Sequence, residues 1–134
     1  MKRPRIIVVE DDGRLASQLA GLAADRRWSL RECRRAERCL SHLARDGAAV
    51  VVVRLAEVPA SEIVLLSRIA GQLPGVRTVA VGGRTNVEVV AGVVWDLGVD
   101  FALFPPTPID LLPEIVAGLM EIKPRGNKRS VEQS

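Results

Sequence analysis

Aromatic side chains are nearly absent from this chain. Its 134 residues include two Phe, two Trp and no Tyr, 3 % in all. The core must therefore be built from Val, Leu, Ile and Ala, which an apolar content of 48 % permits. Histidine occurs once, at His42, in an arginine-rich stretch with no acid and nucleophile assignable to it, and is expected to be structural. Cys33 and Cys39 are the only cysteines, too few for a zinc-ligand pattern, and are expected to be reduced core thiols. No apolar run approaches the roughly 18 residues of a membrane span. The opening Met1-Lys2-Arg3-Pro4-Arg5 has no signal-peptide cleavage pattern after it. A cytoplasmic location with no membrane contact is the expectation.

The chain does have arginine. It supplies sixteen of the nineteen basic residues behind a net charge of +3. Six lie close together, at Arg26, Arg27, Arg31, Arg34, Arg35 and Arg38, but Asp25, Glu32 and Glu37 are interspersed and Trp28 is the one aromatic among them. This composition predicts a solvated face of mixed charge rather than a nucleic-acid surface. The length suits one domain, residues 1–122, followed by a basic, polar tail over 123–134 that carries Pro124 and Gly126 and is expected to be disordered.

Between those limits, apolar runs alternate with helical patterns five times and no internal repeat occurs. The strands are predicted at Arg5–Val9, Ser29–Cys33, Ala48–Val53, Val76–Val81 and Val99–Leu103. The first helix carries Leu15, Leu19 and Leu22 beside Ala16, Ala20 and Ala23, and the second runs over Ala36–Ala44. Pro59 and Ser61 open a third with Ile63, Leu66, Ile69 and Ala70 inward. Thr85-Asn86-Val87-Glu88 fits a capping box for the fourth, which Gly98 ends. For the last helix, Pro113 favours Asp110 over Thr107 as the cap. Short, wholly apolar strands between amphipathic helices imply a parallel sheet covered on both faces. The expected fold is a doubly wound, flavodoxin-like α/β domain of order 2-1-3-4-5, with its ligand crevice beyond strands one and three.

Chemistry-bearing residues gather at that crevice. Strand one ends in Glu10, Asp11 and Asp12, and Asp12 is expected to cap the first helix. Strand three ends in Arg54 and Leu55, with no acid before Glu57, which is expected to be a loop residue. Val8-Val9-Glu10-Asp11-Asp12, the five βα units, and Gly98-Val99-Asp100-Phe101-Ala102-Leu103-Phe104-Pro105-Pro106 together resemble the receiver domain of two-component response regulators, over Arg5 to about Met120.

The resemblance implies an acid pair holding Mg²⁺, a phosphoryl-accepting aspartate ending strand three, a hydroxyl ending strand four, an aromatic in strand five, and a Lys-Pro pair after it. Glu10 and Asp11 match the acid pair, Gly98 the glycine before strand five, and Pro106 the proline. The acceptor position falls on Arg54 or Leu55, the hydroxyl on Gly82 or Gly83, the aromatic on Ala102 and the lysine on Pro105. None of these can perform the chemistry: phosphoryl transfer needs an oxygen nucleophile and a neutralising cation. The expectation is a pseudo-receiver with weak or absent Mg²⁺ binding, no cofactor and no enzymatic activity, working through protein contacts.

Two further expectations follow. Val87, Val90, Ala91, Val94 and Leu97 share one face of the fourth helix, which leaves Val89, Val93 and Trp95 off that face. They form either a deeply seated flank or a contact surface; the resemblance marks the fourth-helix, fifth-strand and fifth-helix side as the usual dimer face. Arg54 is expected to clamp Glu10 and Asp11 in place of a metal, unless it turns to solvent. The competing reading is a phosphate- or nucleotide-binding α/β protein using the Gly82-Gly83-Arg84 loop before the fourth helix.

Overall fold

The computed structural model describes residues 3–121. Its elements in chain order are β1 (Arg5–Val9), α1 (Arg14–Arg26), β2 (Ser29–Cys33), α2 (Ala36–Asp46), β3 (Val50–Arg54), α3 (Ala60–Gln72), β4 (Arg77–Val81), α4 (Val87–Asp96), β5 (Phe101–Leu103) and α5 (Leu112–Met120), with a 3₁₀ turn at Ile109–Leu111 before α5. The five strands pair in parallel as β2-β1-β3-β4-β5, the doubly wound order that the sequence predicts. The expected tail lies outside the described residues.

The two-residue side-chain period of the strands divides the core into two layers. Ile7, Val9, Val51, Val53 and Ala80 meet α2, α3 and α4 through Cys39, Leu43, Leu65, Leu66, Ile69 and Val94. Ile6, Val8, Val50, Val52, Val79 and Val81 meet α1 and α5 through Leu15, Leu19, Leu112 and Val116. The central strands are apolar at every position because helices cover both their faces.

The differences from the predicted elements are local. β3 starts at Val50 and ends at Arg54, two residues later and one further than predicted, although the Ala49 N–H already donates to the Arg5 carbonyl at 2.9 Å. β4 starts at Arg77 and β5 at Phe101. In α3 the buried residues are Leu65, Leu66 and Ile69, whereas Ala70 is exposed, so the helix is turned slightly from the expected stripe. α5 has no Asp110 cap: the 3₁₀ turn precedes it and Leu111 takes the cap position, with Pro113 in the first helical turn.

The short β5 has a polar anchor that the sequence does not announce. Arg77 Nη1 lies 3.3 Å from Asp100 Oδ1, and both side chains are under a tenth exposed, at 7 % and 8 %. The Thr78 N–H donates to Asp100 Oδ2 at 2.8 Å, and the Asp100 N–H donates to the Thr78 carbonyl at 2.9 Å. One carboxylate thus aligns the start of β5 with the start of β4 before any residue of β5 is paired.

Candidate functional site

The carboxyl edge of β1 is committed to the helix that follows it. The Glu10 N–H donates to the Cys33 carbonyl at 3.0 Å, which extends strand pairing one residue beyond β1 and directs the side chain. Its carboxylate then accepts the N–H groups of Leu15 and Ala16, each at 2.8 Å, and is only 5 % exposed. Asp12 Oδ1 accepts the Arg14 N–H at 3.1 Å, and the Arg14 Nε lies 3.7 Å from the other oxygen. Gly13 sits at the cap position with φ 75°, a conformation that glycine adopts without strain.

Asp12 bonds the start of α1 as expected, and Glu10 joins it. Asp12 takes one first-turn amide of α1, while Glu10 takes two, although its position matches the first acid of a metal-holding pair. Two carboxylates satisfy three consecutive helix-terminal donors, which a helix N-terminus favours both by hydrogen bonding and by its dipole. The hydrogen bond from the Arg14 amide, and secondarily the charge of Arg54, hold the Asp12 carboxyl below its usual range. Asp11 is exposed and faces the crevice.

The Arg54 clamp does not form. Arg54 pairs with Val81 in the sheet and is half-buried, but its Nη1 is buried without a hydrogen-bond partner, and it makes no ion pair with Glu10 or Asp11. The α1 amides already supply the positive environment that the clamp was expected to provide. A double-mutant cycle between Arg54→Met and Asp11→Asn, read by urea unfolding, is therefore expected to give a coupling energy near zero. Arg54→Met alone should be neutral or stabilising by up to about 1 kcal/mol, because it removes a buried, unpaired donor. A coupling of about 1 kcal/mol or more would restore the clamp.

Leu55 resolves the other half of the crevice. Its N–H donates to the Val81 carbonyl at 2.8 Å, and its side chain is 7 % exposed within the α2–α3–α4 core. Arg54 and Leu55 both line a cavity of about 170 Å³ together with Val9, Glu10, Asp11, Arg34, Ala56 and Glu62. Whichever of the two is counted as the acceptor position, neither offers an oxygen nucleophile. Sequence reasoning missed Arg34 and Glu62. Glu62, in the first turn of α3, accepts the Ala56 N–H at 3.3 Å, a bond from the helix back to the loop before it that no motif marks.

A second cavity, about 150 Å³, lies between the loops after β3 and β4 and is lined by Leu55, Ala56, Glu57, Gly82, Gly83, Thr85, Val90 and Phe104. Glu57 is exposed at its edge, as expected of a loop acid. The predicted capping box is not made: α4 is capped by Asn86 at φ 53° with no side-chain bond, a left-handed position that asparagine tolerates. Ala102 and Pro105 are half-buried at the aromatic and lysine positions, and the Pro105-Pro106 bond is cis. The Phe104 ring lies directly against Gly82, so that a Cβ at residue 82 would fall inside it.

On the outer side of α4, the inward stripe is as predicted, with Val94 buried and Val87, Val90, Ala91 and Leu97 half-buried. Among the described residues the two flanks beside that stripe stay largely uncovered: Val89 is 68 % and Val93 37 % exposed on one, and Trp95 49 % on the other. Phe101 of β5, also exposed, meets Trp95 edge to face with ring centroids 6.2 Å apart.

The other candidate residues carry no chemistry of their own. Cys33 and Cys39 are free and buried, and burial pushes the Cys39 thiol up to about 12, so its thiolate is not formed at neutral pH. Burial, together with Arg31, lowers the His42 pKa. No helix among the described residues is long and apolar enough to cross a membrane.

No protein-family model matches the chain, and no curated protein is significantly similar to it. Its structure is similar to that of a response regulator receiver protein from Pseudomonas putida, at 25 % identity over 88 % of this chain and 98 % of that one, with a TM-score of 0.70. A signal receiver domain of a LuxO repressor protein from Vibrio parahaemolyticus matches over 99 % of both chains at 16 % identity, with a TM-score of 0.72. NtrX from Brucella abortus matches 98 % of this chain with 29 % of its own, at 21 % identity and a TM-score of 0.73. The chain shares the CheY-like, flavodoxin-type fold of response-regulator receiver domains, with strand order 2-1-3-4-5.

Proposed function

We propose that this chain is a receiver-like signalling module of the two-component class that works without phosphorylation, through protein contacts on α4 and β5. The observation that carries the first half is Leu55, packed into the core beside Arg54 where a phosphoryl acceptor would stand. Glu10, the matching acid of the metal pair, has both oxygens engaged by backbone amides, so Mg²⁺ would compete with the start of α1 for its charge. The module has no enzymatic role and needs no cofactor.

The uncovered face supports the second half. Trp95 and Phe101 meet on one exposed flank of α4, and Val89 and Val93 are exposed on the other, on a helix and strand whose inner sides already fill the core. Buried tryptophans often dominate interface energies, which makes Trp95 the anchor. A second copy of the chain or a protein of complementary surface is the partner, in the cytoplasm. The phosphate- or nucleotide-binding alternative has less support: the Phe104 ring fills the approach to Gly82, and Glu57 in the same cavity opposes an anion.

Two measurements test this function. Intact-mass spectrometry after treatment with acetyl phosphate and Mg²⁺ should show no added phosphoryl group, and a stoichiometric addition abolished by Glu57→Gln would overturn phosphorylation independence. Trp95→Ala combined with Val93→Ser should reduce the sedimentation mass or weaken a bound partner at least tenfold, about 1.4 kcal/mol. An unchanged mass with every partner retained would remove the face as an interface.

A further inference from the structure

Gly82 and Phe104 come together from the ends of β4 and β5. The Gly82 N–H donates to the Leu103 carbonyl at 2.9 Å, so the ladder between these strands runs on to the glycine, and the next residue after Leu103 is Phe104. The phenyl ring folds back over the Gly82 α-carbon and packs against the α2–α3–α4 core, lining the cavity that also contains Val90 of α4. Gly82 is not among the residues with positive φ, so its backbone would accept a side chain. The ring stands where that side chain would begin. The two residues are matched: a glycine at 82 is the condition for the ring's position.

α4 has little fully buried surface of its own, with Val90 and Leu97 only partly buried against the core. Val94 is its one buried residue, and its N-terminus has no side-chain cap. The loop that leads into it passes through Gly82 and Gly83 and is exposed from Gly83 to Asn86. We infer that Phe104 and Gly82 form a fixed latch: the ring ties the loop before α4 to the end of β5 and keeps α4, with its exposed apolar face, in a single arrangement. In this chain an aromatic packing contact occupies the space at residue 82 that a side chain would fill. The latch concerns how the face is held, not what binds it. Phosphoryl mass and partner binding report on the proposed function separately.

Hydrogen exchange by mass spectrometry on the full chain, with Phe104→Ala, Gly82→Ala and the double variant, tests the latch. Each single substitution should speed exchange by about tenfold over residues 83–97 and leave β1 and α1 unchanged, as expected of a local opening. Gly82→Ala acts by displacing the ring, so the double variant should exchange no faster than Phe104→Ala alone. That lack of additivity separates a latch from ordinary core packing. The inference is overturned if Gly82→Ala adds the same increment with and without Phe104. It is equally overturned if α4 exchange does not change, or if β1 and α1 speed up to the same extent.

Discussion

Replacing Asp100 by alanine is expected to destabilise the protein by about 3–5 kcal/mol, because it removes the carboxylate that meets the buried Arg77 guanidinium. The Arg77 and Asp100 side chains are 7 % and 8 % exposed, so water cannot take over the lost contacts. The substitution also strips the Thr78 amide of its acceptor, at the point where the three-residue β5 joins β4. Urea unfolding measures the loss as a lower midpoint. The double replacement Arg77→Met with Asp100→Leu should recover most of it, since the cost arises from a buried charge that has lost this partner rather than from the absence of attraction. A loss below about 1 kcal/mol for Asp100→Ala would mean that the pair is effectively solvated.

Glu10→Ala is expected to cost about 3 kcal/mol, from two charge-assisted bonds to the Leu15 and Ala16 amides at a buried helix start. Glu10→Gln keeps one acceptor oxygen and should cost roughly half as much. The same unfolding experiment separates this structural role from a metal-binding one. A ligand that binds only the folded state raises stability with its concentration. Millimolar Mg²⁺ should leave the midpoint of the unaltered protein where it is. If Mg²⁺ raised it, and Glu10→Gln abolished the rise, Glu10 would be a metal ligand and not only a cap.

Both residues show where local pattern stops being informative. Glu10, Asp11 and Asp12 are visible as an acid run at a strand end, and three carboxylates in a row predict a cap and a cation site in either order. Which acid reaches the α1 amides depends on where Cys33 of β2 holds the Glu10 backbone, and that contact joins segments 23 residues apart. Arg54 is similar: its place at the end of β3 is legible, but whether its charge meets Asp11 depends on whether other groups have already satisfied the acids.

The sequence by itself determined the strands and helices, their order, the two-sided core and the lack of a nucleophile after β3, since each follows from residue type and from periods of two and 3.6 that any short window displays. It also marked Val89, Val93 and Trp95 as lying off the inward stripe of α4. Only the tertiary structure decided that these residues stay exposed, that Glu10 rather than Asp12 takes two helix amides, that Arg77 meets Asp100, and that Phe104 rests on Gly82. Polar pairing and close packing are properties of surfaces brought together from distant segments. No local period encodes which surfaces will meet.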